Sequence, residues 1–352
     1  MSVKNTSLQI RPMSTARIKL IAPILALIIS CLGASSQLAH ADDGGAVEAL
    51  GIAMEGYPYP HPVRFHPVTY HGLDLRMAYM DVAPSGAGNG RAVVLMHGAN
   101  FFGAYWARAI DALAGAGFRV IVPDQIGFGK SSKPDLAYSF HWLAANTKAL
   151  LDSLGVERAT VLGHSMGGML ASRFALMFPE ATENLVLVNP LGLEDYRQTA
   201  PWVSAEAVYQ GTLAQTEDRI RAYHRTYYVS WKDEYEEFVQ VHYRWTLSGE
   251  YPRMARARAQ IVQMILLQPV VHEFPRIGAP TLLIIGQEDR TSPGRGRVPE
   301  DVRQTIGQFP MLGRAAAEAI PNATLVELDG VGHNPHLAVP DRFHDALLSF
   351  LE

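Results

Sequence analysis

The sequence predicts an α/β fold, in which a mostly parallel β-sheet carries helices on both of its faces. Short apolar runs typical of buried strands alternate with helix-forming stretches on both sides of residues 192–277. Such alternation predicts parallel strands connected by helices that cover the sheet. Residues 192–277 lack it and are rich in long helix-forming stretches, so they predict an inserted helical lid.

The elements of the predicted core follow in chain order. Residues 42 to about 60 are a proline-punctuated lead-in, and residues 63–82 hold two strand-like runs around a turn at His71-Gly72. The further predicted strands are residues 91–96, 118–123, 159–162, 183–188, 280–286 and 323–328, and the predicted helices are residues 105–116, 140–154 and 166–178. The core therefore consists of two parts, residues 42–191 and 278–352, with the lid between them.

The pentapeptide Gly163-His164-Ser165-Met166-Gly167 lies where a predicted strand turns sharply into a predicted helix. Strand, turn and helix are the context in which a G-x-S-x-G pattern forms a nucleophile elbow. The two flanking glycines leave room where strand and helix meet, and the turn strains the serine backbone. Ser165 is therefore the predicted nucleophile.

A serine hydroxyl is a weak nucleophile at neutral pH, so Ser165 requires a base and the base requires an orienting acid. Asp289 follows one predicted strand and His333 follows another, in loops at the carboxyl ends where open parallel sheets bind ligands. We assign Asp289 as the acid and His333 as the base. Glu288 is the competing acid and His336 the competing base.

Five segments, in this order along the chain, resemble the α/β-hydrolase superfamily, in its lidded branch of esterases, C–C bond hydrolases and perhydrolases. They are residues 95–98, 123–132, 163–168, 286–289 and 332–336. The resemblance implies an eight-stranded sheet, an inserted helical lid and a triad in the order serine, acid, histidine. Because serine and not aspartate stands at the nucleophile position, the related dehalogenase and epoxide hydrolase mechanisms are disfavoured.

The resemblance also implies an oxyanion hole. The fold takes one backbone N–H from the residue after the nucleophile and one from the loop after an earlier strand. These positions are Met166 and Ala99. The same loop continues into Phe101, Phe102 and Trp106, which we predict as substrate-pocket residues because the loop must border the site.

The amino-terminal segment predicts export. Four basic residues and no acidic residue precede Asp42, an apolar run covers residues 20–32, and Ala39-His40-Ala41 fits the small-x-small cleavage rule. Residues 1–41 are therefore interpreted as a signal peptide of a periplasmic or secreted protein. A retained anchor is one alternative. Lipidation at Cys31, which would tether the protein to a membrane, is another.

Composition limits the partners. The formal net charge is −4, and removal of a leader with four basic and no acidic residues would change it to −8. A negative chain argues against a nucleic-acid partner. The spacing of the histidines along the chain is not typical of metal ligands, so neither metal nor cofactor is predicted. Cys31 is the only cysteine.

Taken together, the patterns predict an exported serine hydrolase acting on a small to medium apolar or aromatic carboxylic ester. Three alternatives stay open. A C–C bond hydrolase would use the same triad on a dienoic diketone, a perhydrolase or haloperoxidase would use peroxide, and a binding protein would use the scaffold without catalysis.

Overall fold

The computed structural model describes residues 47–352. Its eight strands form one sheet in the order β1-β2-β4-β3-β5-β6-β7-β8. The strands are β1 (Val63–Tyr70), β2 (Leu73–Val82), β3 (Ala92–Met96), β4 (Arg119–Pro123), β5 (Ala159–His164), β6 (Thr182–Val188), β7 (Thr281–Gly286) and β8 (Ala323–Leu328). The β1–β2 and β2–β4 pairs are antiparallel and all others are parallel. This confirms the predicted fold class.

Helices cover both faces of the sheet. Those of the core are α1 (Ala107–Gly115), α2 (Phe140–Ser153), α3 (Met166–Met177), α9 (Glu300–Arg303), α10 (Phe309–Ala319), α11 (Pro335–Ala338) and α12 (Pro340–Leu351). Alternate residues of a strand point to opposite faces. In β3, Val94 and Met96 pack on the side of α2, α3 and α10, whereas Val93 and Leu95 pack on the side of α1 and α12. Strands covered on both faces read as continuous apolar runs, which is why the sequence revealed them.

A helical insertion lies between β6 and β7. It contains α4 (Tyr196–Thr199), α5 (Ala205–Leu213), α6 (Glu217–Arg225), α7 (Glu236–Thr246) and α8 (Tyr251–Leu267). The side chains of Ser204 and Thr216 cap α5 and α6 by accepting backbone N–H groups of the first turn. On α8, Ala255, Ala257 and Ile261 are buried. We call these five helices the lid.

The lead-in also packs on the lid. Residues 47–62 form turns, and they bury Leu50 and Met54 against Phe102, Val241 and Trp245. The predicted leader and Cys31 lie outside the described residues. Within residues 47–352, no helix is both long and apolar enough to cross a bilayer.

Candidate active site

Ser165 stands at the strained turn that the sequence predicts. Its backbone has φ 56° and ψ −123°, a conformation that costs free energy for any residue with a side chain. Two glycines make the turn possible. A Cβ at Gly163 would lie 2.0 Å from the carbonyl oxygen of Gly167, and a Cβ at Gly167 would lie 2.1 Å from that of Met96. The close packing of β5, α3 and β3 thus presents Ser165 Oγ at the carboxyl edge of the sheet.

Ser165, His333 and Asp289 meet although they are far apart in the chain. His333 Nε2 lies 2.9 Å from Ser165 Oγ, and His333 Nδ1 lies 2.7 Å from Asp289 Oδ2. The exposed fractions are 6%, 1% and 1%, so solvent screens these contacts little. The arrangement allows His333 to accept the Ser165 proton while Asp289 holds the imidazole.

The competing residues are placed elsewhere. Glu288 is exposed, whereas Asp289 is buried and faces His333. His336 is buried against Trp106, and neither of its ring nitrogens has a hydrogen-bond partner within residues 47–352. Burial, followed by the charge of His333, keeps the pKa of His336 well below its ordinary value. The geometry therefore favours Asp289 as acid and His333 as base.

Asn189 also belongs to this site, and the sequence analysis missed it. Its Nδ2 donates to Asp289 Oδ2 over 2.7 Å, and its Oδ1 accepts the Gly286 N–H over 3.0 Å. Asn189 adopts a left-handed backbone with φ 38°. The one available signal was an asparagine directly after β6, beside the strand that leads to Asp289.

The two predicted oxyanion donors flank Ser165. Met166 is the first residue of α3, so its N–H has no acceptor within the helix. Ala99 follows Gly98, where an added Cβ would lie 3.1 Å from Ser165 Cβ. His97 supports this loop: its Nε2 accepts the Gln125 N–H over 3.0 Å, and its Nδ1 lies 2.9 Å from the Gly98 carbonyl oxygen.

The three predicted pocket residues lie in different surroundings. Phe101 lines a small, mainly apolar cavity of about 50 Å³, together with Ala99 of the oxyanion loop. Phe102 packs with the lead-in, and Trp106 packs against His336. Phe102 and Trp106 are both buried, each in a different hydrophobic cluster, and their role as substrate-pocket residues stays a prediction. A 3-10 turn over Gly103–Trp106 follows Phe102 and directs Phe102 and Trp106 into these different clusters.

A larger cavity of about 320 Å³ lies among α5, α6, α7, α8 and Asn100, and we call it the lid cavity. It shares Asn100, His242, Trp245, Met254 and Arg258 with the small cavity, so the two adjoin. No aspartate or glutamate lines the lid cavity, but two arginines do.

Arg258 is the deeper of these two arginines. Its Nη2 donates to Asn100 Oδ1 over 2.7 Å, and it forms no ion pair with a carboxylate among residues 47–352. Burial, followed by the charge of Arg258, lowers the pKa of His224 to about 4, and burial keeps the pKa of His242 well below its ordinary value. Both histidines are thus neutral at pH 7, and the cavity is electropositive because of its arginines.

A resident metal has no obvious ligands in this part of the chain. Among residues 47–352, no three histidine, cysteine, aspartate or glutamate side chains are grouped so as to hold an ion. Ser165, His333, Asp289 and Asn189 are hydrogen-bonded in sequence.

The chain is similar to known hydrolases. A curated 2-hydroxy-6-oxononadienedioate/2-hydroxy-6-oxononatrienedioate hydrolase of Paraburkholderia phymatum is 31% identical over 286 residues, covering 80% of this chain and 92% of the relative. A solved "probable hydrolytic enzyme" of Pseudomonas aeruginosa PAO1 is 46% identical, with a TM-score of 0.85, over 87% of this chain and 99% of that one.

More distant structures share the architecture. The enol-lactonase of Burkholderia xenovorans LB400 aligns with a TM-score of 0.60 at 22% identity, over 81% of this chain and 99% of that one, a likeness that shows the fold alone. The model of the alpha/beta hydrolase fold matches residues 91–338, which include every residue of the site described above. The chain belongs to the α/β-hydrolase family.

Proposed function

We propose that this hydrolase cleaves the bond between a carbonyl carbon and a leaving group, through an acyl-enzyme on Ser165. One observation carries the proposal, namely two consecutive hydrogen bonds. Ser165 Oγ lies 2.9 Å from His333 Nε2, and His333 Nδ1 lies 2.7 Å from Asp289 Oδ2. A serine hydroxyl held in this way is activated for attack because its proton has an acceptor and the acceptor has a fixed orientation.

In the proposed reaction, Ser165 Oγ bonds to the carbonyl carbon while His333 Nε2 takes its proton. The N–H groups of Ala99 and Met166 stabilise the negative charge that forms on the carbonyl oxygen. The bond to the leaving group then breaks, and His333 returns the proton to that group. Water, deprotonated by His333, then hydrolyses the ester bond between the acyl group and Ser165 Oγ, which releases the acid.

The bond that we favour is a C–C bond. Support comes from the curated relative, whose name describes hydrolysis of an oxo-dienedioate and which aligns over 80% of this chain. For such a bond the dienol must first become a ketone, so that the leaving carbon is conjugated to a second carbonyl group, directly or through a C=C bond. That carbonyl takes up the electron pair as an enolate, and His333 supplies the proton, so one water yields an acid and a ketone.

The arginines of the lid cavity support the proposal that the substrate carries a carboxylate. Arg258 lies beside Asn100, one residue from Ala99, without a carboxylate partner among the described residues. A substrate carboxylate would supply that partner. A charge-assisted hydrogen bond contributes about 1.5–3 kcal/mol, so Arg258→Gln should lower kcat/KM for an anionic substrate roughly 10- to 100-fold.

A matched variant separates charge recognition from general damage. Arg256 lies on the same helix, is exposed, and stacks over Tyr209 with its guanidinium carbon 4.4 Å from the ring centroid. Arg256→Gln should leave the kinetics unchanged. An equal loss for neutral and anionic substrates in Arg258→Gln would contradict the carboxylate assignment.

Ester hydrolysis is the second candidate. The cavity of about 50 Å³ beside Ala99 is small, and Phe101, Phe128 and Ile261 line it, as suits a short apolar acyl group. An ester needs no enolisable leaving group, so the same triad would cleave it without a prior tautomerisation.

The two candidates are distinguished with one panel of substrates. Purified protein is assayed on a 2-hydroxy-6-oxo-dienoate, by loss of the dienol absorbance, and on p-nitrophenyl esters from acetate to palmitate, with Ser165→Ala as control. Cleavage of the dienoate that is lost in the variant supports the C–C assignment, whereas activity on esters alone supports an esterase. Peroxide-dependent halogenation without either hydrolysis would contradict both.

Export remains a proposal that rests on the sequence of residues 1–41. Mass determination of the protein from a fractionated bacterial host tests it. A chain that begins at Asp42 in the periplasmic fraction supports cleavage, and a lipidated amino terminus at Cys31 supports tethering. An intact leader in the cytoplasmic fraction would contradict export and favour an intracellular substrate.

A further inference from the structure

A chain of hydrogen bonds runs behind the triad through two side chains that the mechanism does not use. His164 Nε2 lies 2.8 Å from the carbonyl oxygen of His333, and His164 Nδ1 lies 3.0 Å from the hydroxyl oxygen of Tyr105. That hydroxyl oxygen also accepts the Gly98 N–H over 3.0 Å. All four residues are buried.

The direction of each hydrogen bond is determined by chemistry. A backbone carbonyl only accepts, so His164 Nε2 carries the hydrogen. In a neutral imidazole the other nitrogen is then bare, so His164 Nδ1 accepts from the Tyr105 hydroxyl. The hydroxyl oxygen in turn accepts from Gly98. Every donor and acceptor of the chain is thus satisfied in one arrangement.

This arrangement requires a neutral His164, because a charged imidazole carries a hydrogen on both nitrogens and cannot accept one from the Tyr105 hydroxyl. Burial, followed by the charges of His336 and His333, keeps the pKa of His164 well below its ordinary value. The ring is enclosed by Tyr105, Trp106 and His336 as well as by His333.

The hydrogen-bonded chain joins three segments that the proposed mechanism uses together. Gly98 precedes Ala99, the proposed oxyanion donor, in the loop after β3. His164 precedes Ser165 at the end of β5. His333 follows β8. A displacement of about 1 Å between such groups is enough to lower a rate about 100-fold, because transition-state contacts depend on geometry.

We infer that His164 and Tyr105 are positioning residues, which hold the oxyanion loop and the catalytic histidine at a fixed spacing on either side of Ser165. The inference rests on the proposed function of Ser165, His333 and Ala99. It assigns no proton transfer to either residue. Their contribution is to keep the Ala99 N–H and His333 Nε2 in place when the transition state forms.

The direct test is Tyr105→Phe, which removes one oxygen and keeps the ring stacked on Phe101 at 4.7 Å between centroids. It leaves the Gly98 N–H and His164 Nδ1 without their partners. On whichever substrate the wild type cleaves, kcat should fall about 10- to 100-fold with KM within twofold. The affinity for a trifluoromethyl ketone, which forms a transition-state-like adduct with Ser165, should fall by the same factor.

Two further variants complete the test. Tyr138→Phe removes another buried tyrosine hydroxyl, one that donates to the Pro134 carbonyl over 3.0 Å, and should leave kcat unchanged. His164→Gln has an amide that can donate to the His333 carbonyl, whereas His164→Leu has no donor. We therefore expect His164→Gln to retain more activity than His164→Leu.

The outcomes separate this inference from the proposed function. If Ser165→Ala retains activity, the proposed function fails. If Ser165→Ala is inactive but folded Tyr105→Phe and His164→Leu match the wild type in kcat and ketone affinity, the positioning role is overturned. If Tyr105→Phe and both His164 variants fail to fold, as judged by thermal unfolding, the chain serves the fold and the positioning role is equally overturned.

Discussion

Asn189 donates a hydrogen bond of 2.7 Å to Asp289 Oδ2, the same oxygen that lies 2.7 Å from His333 Nδ1. The other oxygen, Asp289 Oδ1, accepts the Thr291 N–H over 2.8 Å. Both oxygens of the carboxylate therefore have hydrogen-bond partners, which fixes its plane. Through Asp289, Asn189 acts on the orientation of His333 without contacting Ser165.

We predict that Asn189→Gly lowers both activity and stability. Glycine adopts the φ of 38° without strain, so the variant removes the amide contacts alone. The buried Gly286 N–H loses its acceptor, which should cost about 1–3 kcal/mol in the free energy of unfolding. Urea unfolding and steady-state kinetics measure the two effects. Asn184→Ala, on strand β6 just before Asn189, is the control, and an unchanged kcat in Asn189→Gly would contradict the role.

The glycines of the turn give a second prediction. In Gly163→Ala the new Cβ would meet the backbone carbonyl of Gly167 at 2.0 Å, and backbone cannot move aside as a flexible side chain can. We expect a loss of about 3 kcal/mol or more in the free energy of unfolding. Gly115→Ala, at the end of α1, is the matched control. Beyond its chain neighbours and the backbone of its own helix, the new Cβ would meet no atom within 4 Å. This variant should gain up to about 1 kcal/mol.

Buried neutral histidines predict a loss of stability in acid. The pKa of His336 lies well below 6.5 in the folded protein, and that of His224 is lowered to about 4. Below pH 6.5 the unfolded chain binds protons that these folded residues do not, so stability falls as the pH falls. The contribution of His224 declines between pH 6.5 and about 4 and is constant below that.

His336→Phe tests this linkage. The ring of His336 packs on Trp106 and Phe343 and makes no hydrogen bond among the described residues, so phenylalanine keeps the packing and removes the titration. The melting temperature should then depend less steeply on pH between 7 and 5 than in the wild type. An unchanged slope in a folded variant would show that His336 is not among the residues responsible.

The sequence was sufficient for the parts of the fold that depend on local pattern. β3, β5 and β7 are buried on both faces and read as uninterrupted apolar runs, and the glycines around Ser165 report a steric requirement of one turn. Long-range relationships were not accessible in this way. Asn189 and Asp289 are 100 residues apart, and only the parallel pairing of β6 with β7 brings them together.

The direction of individual side chains was the other feature that the sequence could not predict. Phe102 and Trp106 lie near the oxyanion loop in sequence, but the short 3-10 turn between them directs them into separate buried clusters. The electropositive lid cavity likewise depends on how α5, α6, α7 and α8 pack, since Arg219 and Arg258 come from different helices. Periodicity predicts that such helices exist, but not which of their side chains meet.

The nucleophilic character of Ser165 is the central claim, and covalent labelling tests it most directly. The protein is incubated with a fluorophosphonate, which forms a stable bond to an activated serine with loss of fluoride, and the adduct is located by peptide mass spectrometry. We predict one adduct per chain, on Ser165, absent in Ser165→Ala and formed far more slowly in His333→Ala. A folded wild-type protein that remains unlabelled, or that carries its adduct on another residue, would contradict the account.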